Sequence, residues 1–238
     1  NNAVEYFISY YDYYQPEAYI PNRDIYIEKD SDINSQIEKL RLRATMSLTE
    51  RSDVIIVASI SCIYGLGTPE EYRDSQIRVT VGETMDRDEF LRKLIKIHYG
   101  RNDIAFERGT FRVNGDIVDV YPAYMEHSVR IEFFGDEIER ISHINPIDNH
   151  VIEVVPSYPI YPANHFITTE ENLQKAVKSI EAELLERIRY FDKHNKYVEA
   201  QRIEQRTRFD LEMLKEIGHC SGIENYSRHL TGAKAGEP

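Results

Sequence analysis

Seven of the chain's seventeen tyrosines fall between Tyr6 and Tyr26, and this crowding limits what the start of the chain can be. A buried tyrosine must find a hydrogen-bond partner for its phenol. No ordinary core supplies so many partners in one place. A half-exposed row of rings suits base stacking instead, because every base offers a π-face. The run Tyr6-Phe7-Ile8-Ser9-Tyr10-Tyr11-Asp12-Tyr13-Tyr14-Gln15-Pro16-Glu17-Ala18-Tyr19-Ile20-Pro21 is rich in aromatic and β-branched residues. It breaks at Gln15-Pro16-Glu17 and at Pro21-Asn22, then resumes as Asp24-Ile25-Tyr26-Ile27-Glu28-Lys29. The pattern predicts two strands joined by a proline-bearing loop, a β-hairpin. Two readings stay open on these residues alone: sheet strands packed through their tyrosines, or an element that stacks on bases.

The formal net charge of −12 argues against a uniformly basic nucleic-acid clamp. It leaves room for a local aromatic contact. With 238 residues, 41% of them hydrophobic, the chain suffices for one large domain or two modest ones with a real core. Cys62 and Cys220 lie far apart without metal-ligand spacing, so neither a disulfide framework nor a zinc site is expected. Such cysteine usage, without a signal peptide or a membrane-spanning apolar run, predicts a cytoplasmic protein with no membrane partner. The chain lacks an initiator Met and closes on Gly232-Ala233-Lys234-Ala235-Gly236-Glu237-Pro238, which reads as a piece of a longer protein.

After the hairpin, Ile33, Ile37, Leu40, Ala44 and Leu48 predict a helix over 32–50, capped by Ser31 or Asp32. The β-branched run Asp53–Ile60 predicts a strand buried on both faces, as in a parallel sheet. From Ile77 the texture changes. A strand over 77–82 precedes an amphipathic helix over 85–99 with Asp86 as its cap. Short strands follow around Phe106–Val113, Ile117–Tyr121, Val129–Phe134, Glu137–Ile141 and Val151–Val155, with tight turns at Gly115-Asp116 and Gly135-Asp136. Alternation sends Phe111, Val113, Ile131 and Phe133 inward and Arg112, Arg130 and Glu132 outward. A charged outer face is either merely solvated or a docking surface whose arginines pair with carboxylates. Pro156, Pro159 and Pro162 predict a stiff extended link. Beyond it, Thr168 or Thr169 opens the first of two antiparallel helices, and Gly218 ends the second. The charged faces of these helices are solvated, or Lys193, Lys196, Arg202, Arg206 and Arg208 touch phosphates.

The sequence carries no recognisable catalytic motif. There is no Gly-x-x-x-x-Gly-Lys-Ser/Thr loop, no dinucleotide fingerprint and no nucleophile–histidine–acid arrangement in the sequence. Asp116, Asp119, Glu132, Asp136 and Glu137 are the only candidates for a two-metal site, and two of these sit in turns for backbone reasons. The segment is therefore expected to be no enzyme, to hold no metal and to bind no cofactor.

Taken together, Glu5–Tyr19, Ile27–Asp30, Val57–Gly67, Glu132–Glu139 and Asn225–Leu230 resemble the UvrB family, the damage-verifying subunit of the bacterial UvrABC nucleotide excision repair system. The resemblance spans essentially the whole chain, and its hairpin motif is highly specific. It implies a mixed α/β and α+β fold. An incomplete P-loop, superfamily 2 helicase-like motor domain over 1–73 carries a protruding hairpin at about 7–29. An antiparallel α+β insert over 74–166 binds UvrA, and a helical subdomain of the motor covers 167–238. It implies that the full-length protein is a DNA-dependent ATPase using ATP and Mg, with weak strand-destabilising activity. Its Walker A and Walker B motifs are expected outside this segment. By the same resemblance the hairpin inserts between the strands of damaged DNA. Tyr10, Tyr11, Tyr13 and Tyr14 fall at its base, Tyr19 and Tyr26 at further aromatic positions, and Glu17 and Lys29 at charged ones. Arg101, Arg112, Arg130 and Glu132 fall on UvrA-docking positions, and Asn114 departs from a basic residue found in some members. UvrC is a further partner of the full-length protein. The alternative is a docking module alone, like the related region of transcription-repair coupling factor, which is expected to lack the multi-tyrosine hairpin.

Overall fold

The computed structural model describes residues 2–9, 13–15, 18–20, 23, 25–27, 30–32, 34–63, 69–165, 170–218, 220 and 222–234; at 13–15, 19, 26, 30–32, 61, 63, 69–71 and 170 the backbone alone is described. The described residues gather into two compact units, one drawn from 1–63 and 72–164, the other from 64–71 and 165–238. The architecture is mixed, with helices beside both parallel and antiparallel sheets.

In the first unit β1 (Ala3–Phe7) is followed by β2 (Tyr13–Gln15), β3 (Ala18–Ile20), β4 (Ile25–Ile27) and β5 (Asp30–Asp32). β2 pairs antiparallel with β5, and β3 with β4. One register runs through both ladders, since Tyr13 faces Asp32, Gln15 faces Asp30, Ala18 faces Ile27 and Ile20 faces Ile25. Helix α1 (Ser35–Glu50) starts later than expected. Asp32 is taken into the ladder, and Asn34 caps the helix instead, its Oδ1 accepting from the Gln36 amide at 2.9 Å.

β1 lies parallel to β6 (Val54–Ala58), and α1 covers one face of this pair. Glu5, buried on that face, accepts from Arg43 Nε at 3.2 Å and Ser47 Oγ at 3.1 Å. The buried Arg41 lies 4.1 Å over the Phe7 ring and donates to the Ile8 carbonyl at 2.5 Å. The expectation of a strand buried on both faces is corrected. Val4, Tyr6, Ile55 and Val57 remain largely exposed on the far side, because a single helix covers only one face of the pair.

Then come α2 (Pro69–Asp74), β7 (Ile77–Thr80), α3 (Arg87–Lys96), β8 (Gly100–Arg101), β9 (Thr110–Asn114), β10 (Ile117–Tyr121), β11 (Ser128–Phe134), β12 (Glu137–Ile144), β13 (Val151–Val154) and β14 (Ser157–Ile160). Asp86 caps α3 as the sequence predicts, its Oδ1 taking the Glu89 amide at 2.7 Å. β8 to β13 form one six-stranded sheet with neighbours in chain order. The proline-rich link is corrected: Ser157–Ile160 is a strand paired with β7. Pro159 is tolerated because a two-stranded pair has a free edge for a residue without an amide proton. Phe90 and Leu94 of α3 pack on Val79, Phe111, Val118, Ile131, Phe133 and Ile141 to make the core of this module.

A second cluster joins α1 to the module: Leu42 packs with Tyr72, Tyr124 and Tyr161. The Tyr72 and Tyr161 rings stack at 5.6 Å, and the Tyr161 hydroxyl donates to Glu50 at the end of α1. Tyr99 donates to the Tyr161 carbonyl at 3.0 Å, and the Tyr161 amide donates to the Tyr124 hydroxyl at 3.0 Å. Burial pushes the Tyr158 hydroxyl up to about 12 and those of Tyr99 and Tyr124 up as well, so these rings act as neutral donors throughout. Glu126 adds ion pairs to Lys39 of α1 and to Arg108.

The second unit is built on α4 (Glu170–Lys193) and α5 (Tyr197–Ile217), antiparallel as predicted. Val177, Ile180, Leu211, Leu214 and Ile223 form its core. Gly218, left-handed at φ 73°, ends α5 with its amide on the Leu214 carbonyl. Helix α6 (Ser227–Thr231) is tied to α4 through His229, whose Nδ1 meets Ser179 Oγ and whose Nε2 meets Glu183, both at 2.6 Å. Thr168 and Thr169, the predicted caps of α4, lie outside the described residues.

One pair of rings makes the first unit sensitive to acid. His127 lies 4.5 Å from His143, and each keeps a buried Nε2 without a hydrogen-bond partner among the described residues. His143 Nδ1 meets Glu153 at 2.8 Å, and Tyr158 packs edge-on against the His143 ring. Burial, then repulsion from His143, lowers the His127 pKa below 6.5, outweighing the opposing pull of Glu153 and Glu126. The folded state thus binds fewer protons at this site than the unfolded chain, and stability falls as pH drops through and below about 6.5. Urea unfolding between pH 7 and 5 is expected to show a falling midpoint, and His127→Gln to flatten that fall. Equal slopes for the two proteins would show that His127 does not supply it.

Candidate functional site

The outer face of the six-stranded sheet carries the densest set of charges. Gly115, at φ 61°, lets a two-residue turn join β9 to β10, which sets Asn114 opposite Ile117 and therefore Arg112 opposite Asp119. On the other side β11 places Arg130 opposite the same Asp119. Three strands thus align Arg112, Asp119 and Arg130 in one row across the sheet.

Asp119 is 4% exposed. Arg130 grips it with both arms of its fork, Nε to Oδ1 at 2.7 Å and an outer nitrogen to Oδ2 at 2.9 Å. Arg112 Nε reaches Oδ2 at 3.0 Å. Asn149, left-handed at φ 60°, offers its Oδ1 to both guanidiniums. The Arg112 guanidinium also lies 4.2 Å over the Phe106 ring. Hydrogen bonding to Asp119 raises the Arg130 pKa further, so its charge is permanent. Asp103 accepts from the Val113 amide at 2.9 Å and from Arg101 at 3.0 Å, and that backbone bond holds its carboxyl below the usual range. The result is a cleft of about 390 Å³ lined by Asp103, Arg112, Asn114, Asp119, Arg130 and Asn149. Among the described residues Arg101 pairs with Asp103, and Arg112 and Arg130 pair with Asp119. The second terminal nitrogen of Arg112 and of Arg130 meets no protein acceptor among the described residues.

Of the residues predicted from sequence, Arg112 and Arg130 come together in this row. Arg101 sits on the edge strand β8, opposite Phe111. Glu132 lies two residues beyond Arg130 on β11 and faces Arg140, 3.9 Å away. In the tyrosine-rich stretch the backbone sets Tyr13 opposite Asp32, Tyr14 opposite Ser31 and Tyr19 opposite Tyr26. Tyr10, Tyr11, Glu17 and Lys29 lie outside the described residues. Asp119, Asn149 and Arg140 were missed as members of the charged face. A signal for Asp119 existed: with the turn at Gly115-Asp116 assigned, register alone sets it opposite Arg112. Asn149 sits in a loop, and nothing local marks it. No group of three metal-ligating side chains occurs among the described residues, and no described helix is long and apolar enough to cross a membrane.

Residues 77–166, which hold this whole charged face, match the family described as UvrB interaction domain, and residues 171–232 match UvrB third helical domain. Across the full chain the similarity is to curated proteins named UvrABC system protein B. That of Bacillus cereus is 59% identical over 237 residues, covering 99% of this chain and 36% of the relative. This chain belongs to the UvrB family. The Lactococcus lactis relative is 55% identical over 239 residues, covering 100% of this chain and 34% of the relative. The Synechococcus relative is 58% identical over 237 residues, with the same coverage of both. The chain spans about a third of the length of the curated relatives it matches. In the terms of its family, the arginine row belongs to the interaction domain and α4–α6 to the third helical domain.

Asp119 is the keystone of the row. Asp119→Ala leaves two guanidiniums facing each other across a buried gap. The expected loss is roughly 3–5 kcal/mol of folding stability, the cost of removing one partner of a buried pair. Asp119→Asn keeps the shape and is expected to lose less. Urea denaturation measures both, and an Ala variant as stable as the parent would remove Asp119 from this role.

Proposed function

We propose that this segment serves DNA damage recognition and verification in nucleotide excision repair, within the UvrABC system for which its relatives are named. The carrying observation is that the relatives match the whole chain, the tyrosine-rich stretch included, at 55–59% identity. The common register of β2–β5 and β3–β4 supports reading that stretch as one hairpin that protrudes from a helicase-like motor domain. Its tyrosines, Tyr10, Tyr11, Tyr13, Tyr14, Tyr19 and Tyr26, stack on or wedge between the bases of damaged DNA. Glu17 and Lys29 orient the hairpin. A lesion is tested by whether the strand admits the rings, since stacking needs an intact planar base while backbone charge does not.

The arginine row supports the second half of the proposal. Arg112 and Arg130, held by Asp119, with Arg101 and Glu132 beside them, dock UvrA. A fork fixed in advance loses little entropy when a partner carboxylate arrives. UvrC joins later, as a partner of the full-length protein in the cytoplasm. ATP and Mg serve that full-length protein. The sequence here offers no phosphate-cradling loop, so no step of ATP chemistry is assigned to these residues, and the segment itself is read as non-enzymatic.

The two halves separate by mutation in the full-length protein. Tyr13→Ala with Tyr14→Ala is expected to weaken loading onto damaged DNA by roughly 1–3 kcal/mol per stacked ring, with UvrA capture intact. Arg112→Glu is expected to do the reverse, costing about 2–5 kcal/mol in UvrA binding. Pull-down with UvrA and gel shift on lesion-bearing duplex read the two effects. Silent tyrosines would end the hairpin reading, and an Arg112→Glu protein that still captures UvrA would end the docking one.

A further inference from the structure

The far end of the α4–α5 pair is built unlike the rest of the helical unit. Asn195, left-handed at φ 57°, ends α4. The Lys196 amide reaches back to the Phe191 carbonyl at 2.9 Å, and the Asn195 amide to that of Asp192 at 3.0 Å. This short reversal brings Tyr190, in the last turn of α4, and Tyr197, in the first turn of α5, to one tip. They are 46% and 63% exposed, more than a helix end needs to be. Arg187, Tyr190 and His194 follow one another at spacings of three and four and so share a face. The Arg187 guanidinium is 4.7 Å from the Tyr190 ring and the His194 ring 4.2 Å from it. The Tyr197 hydroxyl donates to Asn195 Oδ1 at 3.1 Å, which anchors one end of an otherwise open ring.

Charge follows the same outline. Between Arg187 and Tyr197 lie Arg187, Arg189, Lys193 and Lys196 against Asp192 alone, a local excess of three positive charges in a chain of net −12. Arg189, Lys193 and Lys196 have no carboxylate partner among the described residues. By contrast Lys175, Arg208, Lys215 and Arg228 of the same unit each face a glutamate. Unpaired cations and the part-exposed rings of Tyr190 and Tyr197 therefore coincide at one end of the helix pair.

We propose that this tip binds single-stranded DNA. Free ammonium and guanidinium groups neutralise phosphates, and Tyr197 with the Tyr190–His194 pair supplies flat surface for unpaired bases. An acidic protein would use the charges and leave the rings idle. A duplex would hide its base faces from the tip. The tip belongs to the second unit and the tyrosine-rich stretch to the first, so each contact is tested by its own variants.

The test uses the full-length protein and a fluorescent oligothymidylate, with anisotropy followed across a salt series. Lys193→Glu with Lys196→Glu is expected to weaken binding about tenfold or more. It should also flatten the slope of log affinity against log salt by about 1.4, at ~0.7 for each phosphate no longer neutralised. Tyr190→Ala with Tyr197→Ala is expected to weaken binding about tenfold with the slope unchanged, since stacking releases no counterions. Lys193→Arg with Lys196→Arg should restore parental behaviour. The same losses should appear in a Tyr13→Ala, Tyr14→Ala background, which keeps this result distinct from the hairpin reading. Unchanged affinity and slope in both tip variants would overturn the proposal and leave the hairpin reading standing. So would poly-glutamate binding as tightly as DNA with the same dependence on the two lysines, which would mark a docking surface for an acidic protein.

Discussion

Burying a tyrosine ring obliges its hydroxyl to find a partner, and that obligation ties the first unit together. Tyr161 is the centre. Its ring stacks on Tyr72, its amide and carbonyl take up the hydroxyls of Tyr124 and Tyr99, and its own hydroxyl meets Glu50. Leucine in these places would supply the same apolar contact and no direction. The phenols of Tyr99, Tyr124 and Tyr161 supply direction, each meeting a specific backbone or side-chain partner. Glu126, between Lys39 and Arg108, repeats the tie with charge. Through α1 the tie extends to β1, because Arg41, Arg43 and Ser47 on the same helix hold Phe7, Ile8 and Glu5. The tyrosine-rich stretch and the arginine row are thus tied to one helix of the same unit.

The parts of the fold legible in the sequence are those set by local chemistry. Asp86 caps α3, Gly115 and Gly135 turn between strands, Gly218 stops α5, and the alternation around Phe111 and Ile131 separates core from surface, all as the residues predict. What was illegible depended on a partner far along the chain. Nothing in Ser157–Ile160 announces that Ile77–Thr80 will pair with it, and three nearby prolines argue for an isolated link. Nothing in Val54–Ala58 says that only one of its faces will be covered. Asn34 took over the cap from Asp32 because pairing with Tyr13 claimed the aspartate first.

The charged face shows the same division. Arg112 and Arg130 were visible as outward residues on alternating strands. Their grouping was not, because it rests on Asp119, a single acid among four apolar neighbours that the sequence offers only as a candidate metal ligand. Alternation put it on the right face. Only the register on both sides made it the shared counter-ion of two arginines. The tip of the helical pair lies at the other extreme. Its residues are all contiguous in sequence, and what the fold adds is that Lys193 and Lys196 face no carboxylate among the described residues while Tyr190 and Tyr197 stay exposed.

The two-residue turn at Gly115-Asp116 sets a rule for how this stretch can diverge. Side chains alternate along a strand, so one residue gained or lost there moves every later position of β10 to the opposite side of the sheet. Asp119 would enter the core, and Val118 and Val120 would face the arginines. A substitution at the turn strains it locally, whereas a change in length shifts the whole strand. The left-handed Gly115 limits what can replace it, and the interval from Arg112 to Asp119 is as necessary to this surface as the residues in it.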